Sequence, residues 1–171
     1  MEFLKAIEET QFCIWVRESG SLWAYPLILF LHTVGLGCVA GMSAAIDLRV
    51  IGFAPRLPIA PMARFYPIMW LGFWVNAASG VILLAADAAT KLISPVFYIK
   101  MSCIFIAVWI MIALRKRLFA DADNPIVAPA APMAKLLAWV SLAAWLGAIT
   151  AGRLQAYLGP VSGMPGITNH F

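Results

Sequence analysis

Charge is what this sequence has least of: Asp, Glu, Lys and Arg make up 12% of its 171 residues, against 63% that are hydrophobic. Soluble domains carry about a quarter charged residues, so the composition excludes that class. A mean hydropathy of +0.90 points to a membrane protein instead. The three cysteines, Cys13, Cys38 and Cys103, match no metal-ligand spacing. That excludes a disulfide framework or zinc site and leaves them as small packing residues. Nor is there a nucleophile–base pair or a phosphate-binding loop, which removes hydrolysis and phosphoryl transfer from consideration. No internal repeat is visible and acids within apolar runs are few, so a small-solute transporter is the weakest of the functional classes weighed.

What is present is a series of long apolar runs. Leu22 to Ile46 holds 25 residues without a formal charge, more than the roughly 20 that cross a hydrocarbon core. Its length and its acid-rich upstream segment argue against a cleavable signal peptide. Phe65 to Ala86 is a second uncharged run, bounded by Arg64 and Asp87. Ser94 to Leu114 is a third apolar run, with Pro95 in its first turn, Lys100 as its only charge and Arg115-Lys116-Arg117 as its stop; Leu136 to Leu158, with Arg153 near its end, is the fourth. The expected fold is therefore all-α, an integral membrane four-helix transmembrane bundle. Residues 1–18 place Leu4, Ile7, Ile14 and Trp15 at near-helical spacing and predict a short amphipathic helix on the membrane surface. Prolines stiffen the first and third loops, and the glycine- and proline-rich tail, 159–171, is expected to be irregular. Four spans use nearly all of the length, so no separate catalytic domain is expected.

Basic residues set the expected orientation. Arg49, Arg56, Arg64, Arg115, Lys116, Arg117 and Lys135 lie in or beside the first and third loops, seven against Lys5, Arg17 and Lys91 on the other side. The positive-inside rule then puts those loops in the cytoplasm and both termini in the periplasm. The same clustering accounts for the net charge of +4 without a nucleic-acid partner.

Ionisable groups at membrane depth cost about 2.5–3.5 kcal/mol each for Arg or Lys at a helix centre, so each needs a reason. His32 lies near mid-membrane in the first run and Asn76 at similar depth in the second; Lys100 and Arg153 lie toward the outer ends of the third and fourth. As single residues the cations suit snorkelling to headgroups, and Asn76 an interhelical hydrogen bond. His32 has no acid at its depth. Gly35 follows it one turn later, leaving space for something flat, while Gly37 and Gly41 form a GxxxG pair suited to close helix packing. Arg153 and Tyr157, four apart with Thr150 one turn earlier, share a face expected to point into the bundle. Asp47-Leu48-Arg49 reads as an interfacial anchor.

Trp23-Ala24-Tyr25-Pro26, His32, Gly35, Asp47-Leu48-Arg49, Gly152-Arg153 and Tyr157 together resemble an uncharacterised family of bacterial four-helix inner-membrane proteins. The likeness covers most of the chain and implies fold and location rather than activity. More distantly, a first-span histidine followed by glycines, with a lysine early in a later span, resembles copper-resistance D-type membrane proteins and b-type membrane cytochromes. This implies haem b held by His32 as iron ligand, with Gly35, Asn76 and Tyr157 nearby and propionates directed to Lys100 and Arg153. The cytochromes supply paired histidines, whereas here the other histidine is His170 in the tail. The second axial position stays open between His170, Met69, Met101, a neighbouring subunit and no ligand. The functional expectation is an electron-transferring membrane subunit with a redox partner, surrounded by lipid and joined to a homo-oligomer or larger complex. The alternative is a non-redox accessory or scaffold subunit.

Overall fold

The computed structural model describes residues 8–119 and 132–157. It contains four helices long and apolar enough to cross a membrane and, among the described residues, no strand. The chain is an all-α, multi-pass membrane protein. His170, the rest of the tail and most of the third loop lie outside the described residues.

The first span, α2, runs from Tyr25 to Ile51, after a short α1 over Gln11–Glu18. Pro26 sits in the first turn of α2, where its missing N–H is not needed. Gly52 ends the helix at φ 118°, a left-handed conformation that costs glycine nothing, and its N–H returns to the Leu48 carbonyl. The helix therefore passes Ile46, the expected end, and includes Asp47, Leu48 and Arg49. Arg49 turns back on the loop, donating to the carbonyls of Pro55 and Leu57 rather than meeting Asp47. A 3-10 turn over Ala60–Arg64 leads into α3, Phe65–Ala85. The expected second loop contains one further turn, α4, Ala88–Ile93. Next come α5, Pro95–Leu118, and α6, Pro132–Tyr157. α5 outlasts its apolar run by a turn because Arg115, Lys116 and Arg117 complement the carbonyl end of a helix instead of breaking it. α6 starts at Pro132, a residue expected to stiffen a loop but suited equally to a first helical turn.

α2 packs along α3 and α6, and α5 along α6. Apolar contact drives little association in lipid, so close backbone approach takes its place. The α2–α3 contact is built on Gly35 and Gly72. A Cβ on Gly35 would lie 2.7 Å from the Asn76 nitrogen and the Gly72 oxygen, and one on Gly72 would lie 2.6 Å from Cys38 Cβ. Gly37 and Gly41 have open space beside them and face outward. α6 turns small residues inward: Ala134, Ala138, Ser141, Ala144, Ala148 and Ala151, with Trp145, are buried. Val39, Met69, Ile110, Met111 and Leu114 join Trp145 in the core. Phe30, Leu71, Trp74, Phe105, Trp109 and Trp139 point outward, as residues bathed in lipid do.

α1 docks through Cys13 and Val16, both buried, with Val16 against Ile28, Leu83 and Ala86. Ile14 and Trp15, two of the residues that predicted its amphipathic character, are the exposed ones. The Glu8 carboxylate accepts the Ala89 N–H at 2.7 Å, tying the amino-terminal segment to α4.

Candidate functional site

The polar residues of the spans separate into two groups. The first is centred on His32, half-buried on the face of α2 that also carries Val39 and Ser43. Its Nδ1 lies 3.0 Å from the Asn76 carbonyl oxygen and 3.1 Å from Ser79 Oγ. Ser79 has one hydroxyl proton, and its shortest contact, 2.6 Å to the Val75 carbonyl, takes it. Toward His32 the Ser79 oxygen is therefore an acceptor, and Nδ1 carries the hydrogen that both oxygens share. Among the described residues this leaves Nε2 without a hydrogen-bond partner.

Asn76 completes a reciprocal clasp. Its Nδ2 donates to the His32 carbonyl at 2.7 Å, while its own carbonyl receives the His32 ring. The expected interhelical hydrogen bond of the Asn76 side chain is thus made to His32. Gly35 makes the clasp possible, since any side chain there would collide with the Asn76 backbone. The space beside Gly35 is accordingly filled by α3 and not available to a flat ligand. On the other side, a Cβ on Gly80 would stand 3.1 Å from His32 Cε1, so Gly80 is what admits the ring edge. Ser79 and Gly80 escaped the sequence reading. Their spacing of three and four from Asn76 was the available signal.

Lys100 faces this group from α5. It is half-buried, within electrostatic reach of His32, and its Nζ lies 3.8 Å from where a Cβ on Gly152 would be. Among the described residues no hydrogen bond or ion pair satisfies its ammonium. Gly152 precedes Arg153, so the two cations stand at neighbouring levels of adjacent helices. Arg153 and Thr150, however, are exposed, and Thr150 bonds the Leu146 carbonyl at 2.8 Å. The face expected to point inward points outward, because the alanine stripe fills the interior and an arginine near a helix end reaches headgroups. The Tyr157 side chain lies outside the described residues. Nearer the amino-terminal end, Lys91 donates to the Leu83 carbonyl at 2.8 Å and stands 3.8 Å from Asp87. Burial holds its ammonium below the ordinary lysine range, with Asp87 opposing the shift.

The second group lies toward the basic end. Asp47 is 1% exposed, so it is an interior carboxyl and not an interfacial anchor. Ser43 Oγ, one turn away, donates to its Oδ2 at 3.5 Å. Ser141 of α6 is fully buried and approaches the same carboxyl, yet its Oγ, like Trp145 Nε1, completes no hydrogen bond among the described residues. Tyr66 lies close by with Arg115 over its ring. Asp47 was legible as a charge but not as a buried one, because the helix end was placed one turn too early.

No three His, Cys, Asp or Glu side chains converge on a common point among the described residues. His32 thus stands apart from the other side chains of these types among the described residues. No protein-family model, no curated protein and no solved structure matches the chain.

Proposed function

We propose that the chain is a membrane subunit that binds haem b through His32 and passes electrons to a redox partner. The observation that carries this reading is the state of the His32 ring. Metal-binding histidines donate their second N–H to a carbonyl or carboxylate, which fixes the tautomer and raises ligand basicity. His32 does this with Asn76 and keeps Nε2 available in the bundle interior. A second support is Lys100, an unpaired cation within reach of His32, which suits an anionic group such as a propionate. Arg153, exposed at a neighbouring level, would meet a carboxylate from the outer side.

When bound, haem supplies the one-electron couple. The chain holds the imidazole in one tautomer, sets a positive charge beside it and excludes water with apolar walls. Met69 would not share the iron with His32. Gly72 packs against Val39, which puts Met69 at about the level of residue 42, some ten residues or ~15 Å along α2 from His32. Met101 is 46% exposed. Among the described residues His32 is the side chain that would hold the iron; His170 lies outside them, and a second copy would supply a further donor.

The test is spectroscopic. Protein purified from haem-replete cells should show a Soret band that His32→Ala abolishes and Lys100→Met shifts. A colourless wild-type protein would sink the proposal and favour the accessory reading. One observation favours that second reading independently: Gly37 and Gly41 open onto a lipid-facing surface flanked by Phe30, Val34 and Leu48. Such a surface permits close contact with another helix. A mass measurement in nanodiscs that finds only monomer would count against it.

A further inference from the structure

At the basic end, α3 and α5 enclose a groove of about 510 Å³ lined by Tyr66, Trp70, Met111, Ile112, Arg115, Lys116 and Phe119. The walls are built by ring contacts. Tyr66 and Phe119 meet edge to face with centroids 5.7 Å apart, and the Arg115 guanidinium lies 5.4 Å from the centre of the Tyr66 ring. Tyr66 and Met111 are buried, so the floor is fixed, while Ile112 is 37% exposed on the open side. The groove's two cations sit together at its end, in the last turn of α5, and neither has an acidic partner among the described residues. Along the helix toward mid-membrane the lining becomes wholly apolar, with Trp70 and Met111 one turn in from Tyr66 and Arg115.

This gradient, two cations without an acidic partner among the described residues and an apolar trough running from them toward mid-membrane, is complementary to one kind of molecule. We propose that the groove binds a single anionic glycerophospholipid, its phosphate against Arg115 and Lys116 and one acyl chain along Trp70, Met111 and Ile112. The size lies within the roughly 300–1,000 Å³ of small-ligand sites. Basic pockets between transmembrane helices on the cytoplasmic side suit anionic headgroups, and the positive-inside count puts this end there. The site is remote from His32 and does not depend on haem.

The experiment is native mass spectrometry of the delipidated full chain with added phosphatidylglycerol or phosphatidylcholine. Wild type should take up one phosphatidylglycerol in preference to phosphatidylcholine. Arg115→Gln with Lys116→Gln should weaken that first binding about thirtyfold, the attraction expected of two surface cations. Arg56→Gln with Lys135→Gln removes the same charge at the same end, away from the groove, and should leave it intact. Ile112→Trp fills the trough without altering charge and should also weaken it. Equal losses in the two charge pairs, wild-type affinity in Ile112→Trp, or no preference between the two lipids would each overturn the proposal and indicate unspecific attraction to a basic surface.

Discussion

A lone intramembrane histidine takes its meaning from what holds its ring, and in this chain the holder is an asparagine that also takes something back. His32 and Asn76 each use a side chain to satisfy the other's backbone carbonyl. The ring's own partners are the Asn76 backbone carbonyl and the Ser79 hydroxyl, so removing the Ser79 hydroxyl loosens the ring without removing the ligand. Loss of such an outer partner typically costs 10–100-fold in metal affinity. If His32 ligates haem, Ser79→Ala should retain haem with affinity lowered by up to about that factor, read by titrating haem into apo-protein. Unchanged affinity would mean the Ser79 contact serves packing alone. Lys91 gives a second residue-scale expectation, independent of any cofactor. Burial lowers its pKa, so the folded chain releases this proton at lower pH than the unfolded chain does. Stability should then rise with pH between the lowered value and the ordinary lysine range. Thermal unfolding of Lys91→Met across that window should show a flatter profile than wild type.

Between helices, glycines that look interchangeable in the sequence, Gly35 against Gly37 and Gly41, have opposite surroundings. A Cβ on Gly35 would lie 2.7 Å from the α3 backbone, whereas nothing lies within 4 Å of one on Gly37 or Gly41. Gly35→Ala should destabilise the fold by about 1–3 kcal/mol, the usual cost of overpacking, and should disturb His32 as α2 and α3 separate. Gly37→Ala should leave the melting temperature of a monomeric preparation unchanged or raise it, since alanine favours helix over glycine. Comparable losses at both positions would contradict the packing described above. The GxxxG spacing identified residues able to accept a close neighbour. It did not identify which glycine had one, because any helix position can be turned toward a neighbour and only the packed arrangement chooses.

At the scale of the whole molecule, orientation and assembly follow from distributions over many residues. Seven basic residues beside the first and third loops against three on the other side predict both termini in the periplasm. A carboxyl-terminal reporter fusion should be active only if exported; cytoplasmic activity alone would reverse the assignment. Length and hydropathy determined the four spans, and nearly determined their limits, because the cost of burying charge in hydrocarbon is paid residue by residue along the chain. The sequence by itself likewise marked His32, Asn76 and Lys100 as exceptional, since a polar group at that depth needs a partner wherever it points. Tertiary structure decided what depends on rotation about a helix axis and on where each helix stops. It turned Arg153 and Thr150 outward, carried Asp47 into the interior by extending α2 to Gly52, and joined Ser79 and Gly80 to His32. Those outcomes turn on side-chain volumes and backbone approach between segments dozens of residues apart, which no local pattern records.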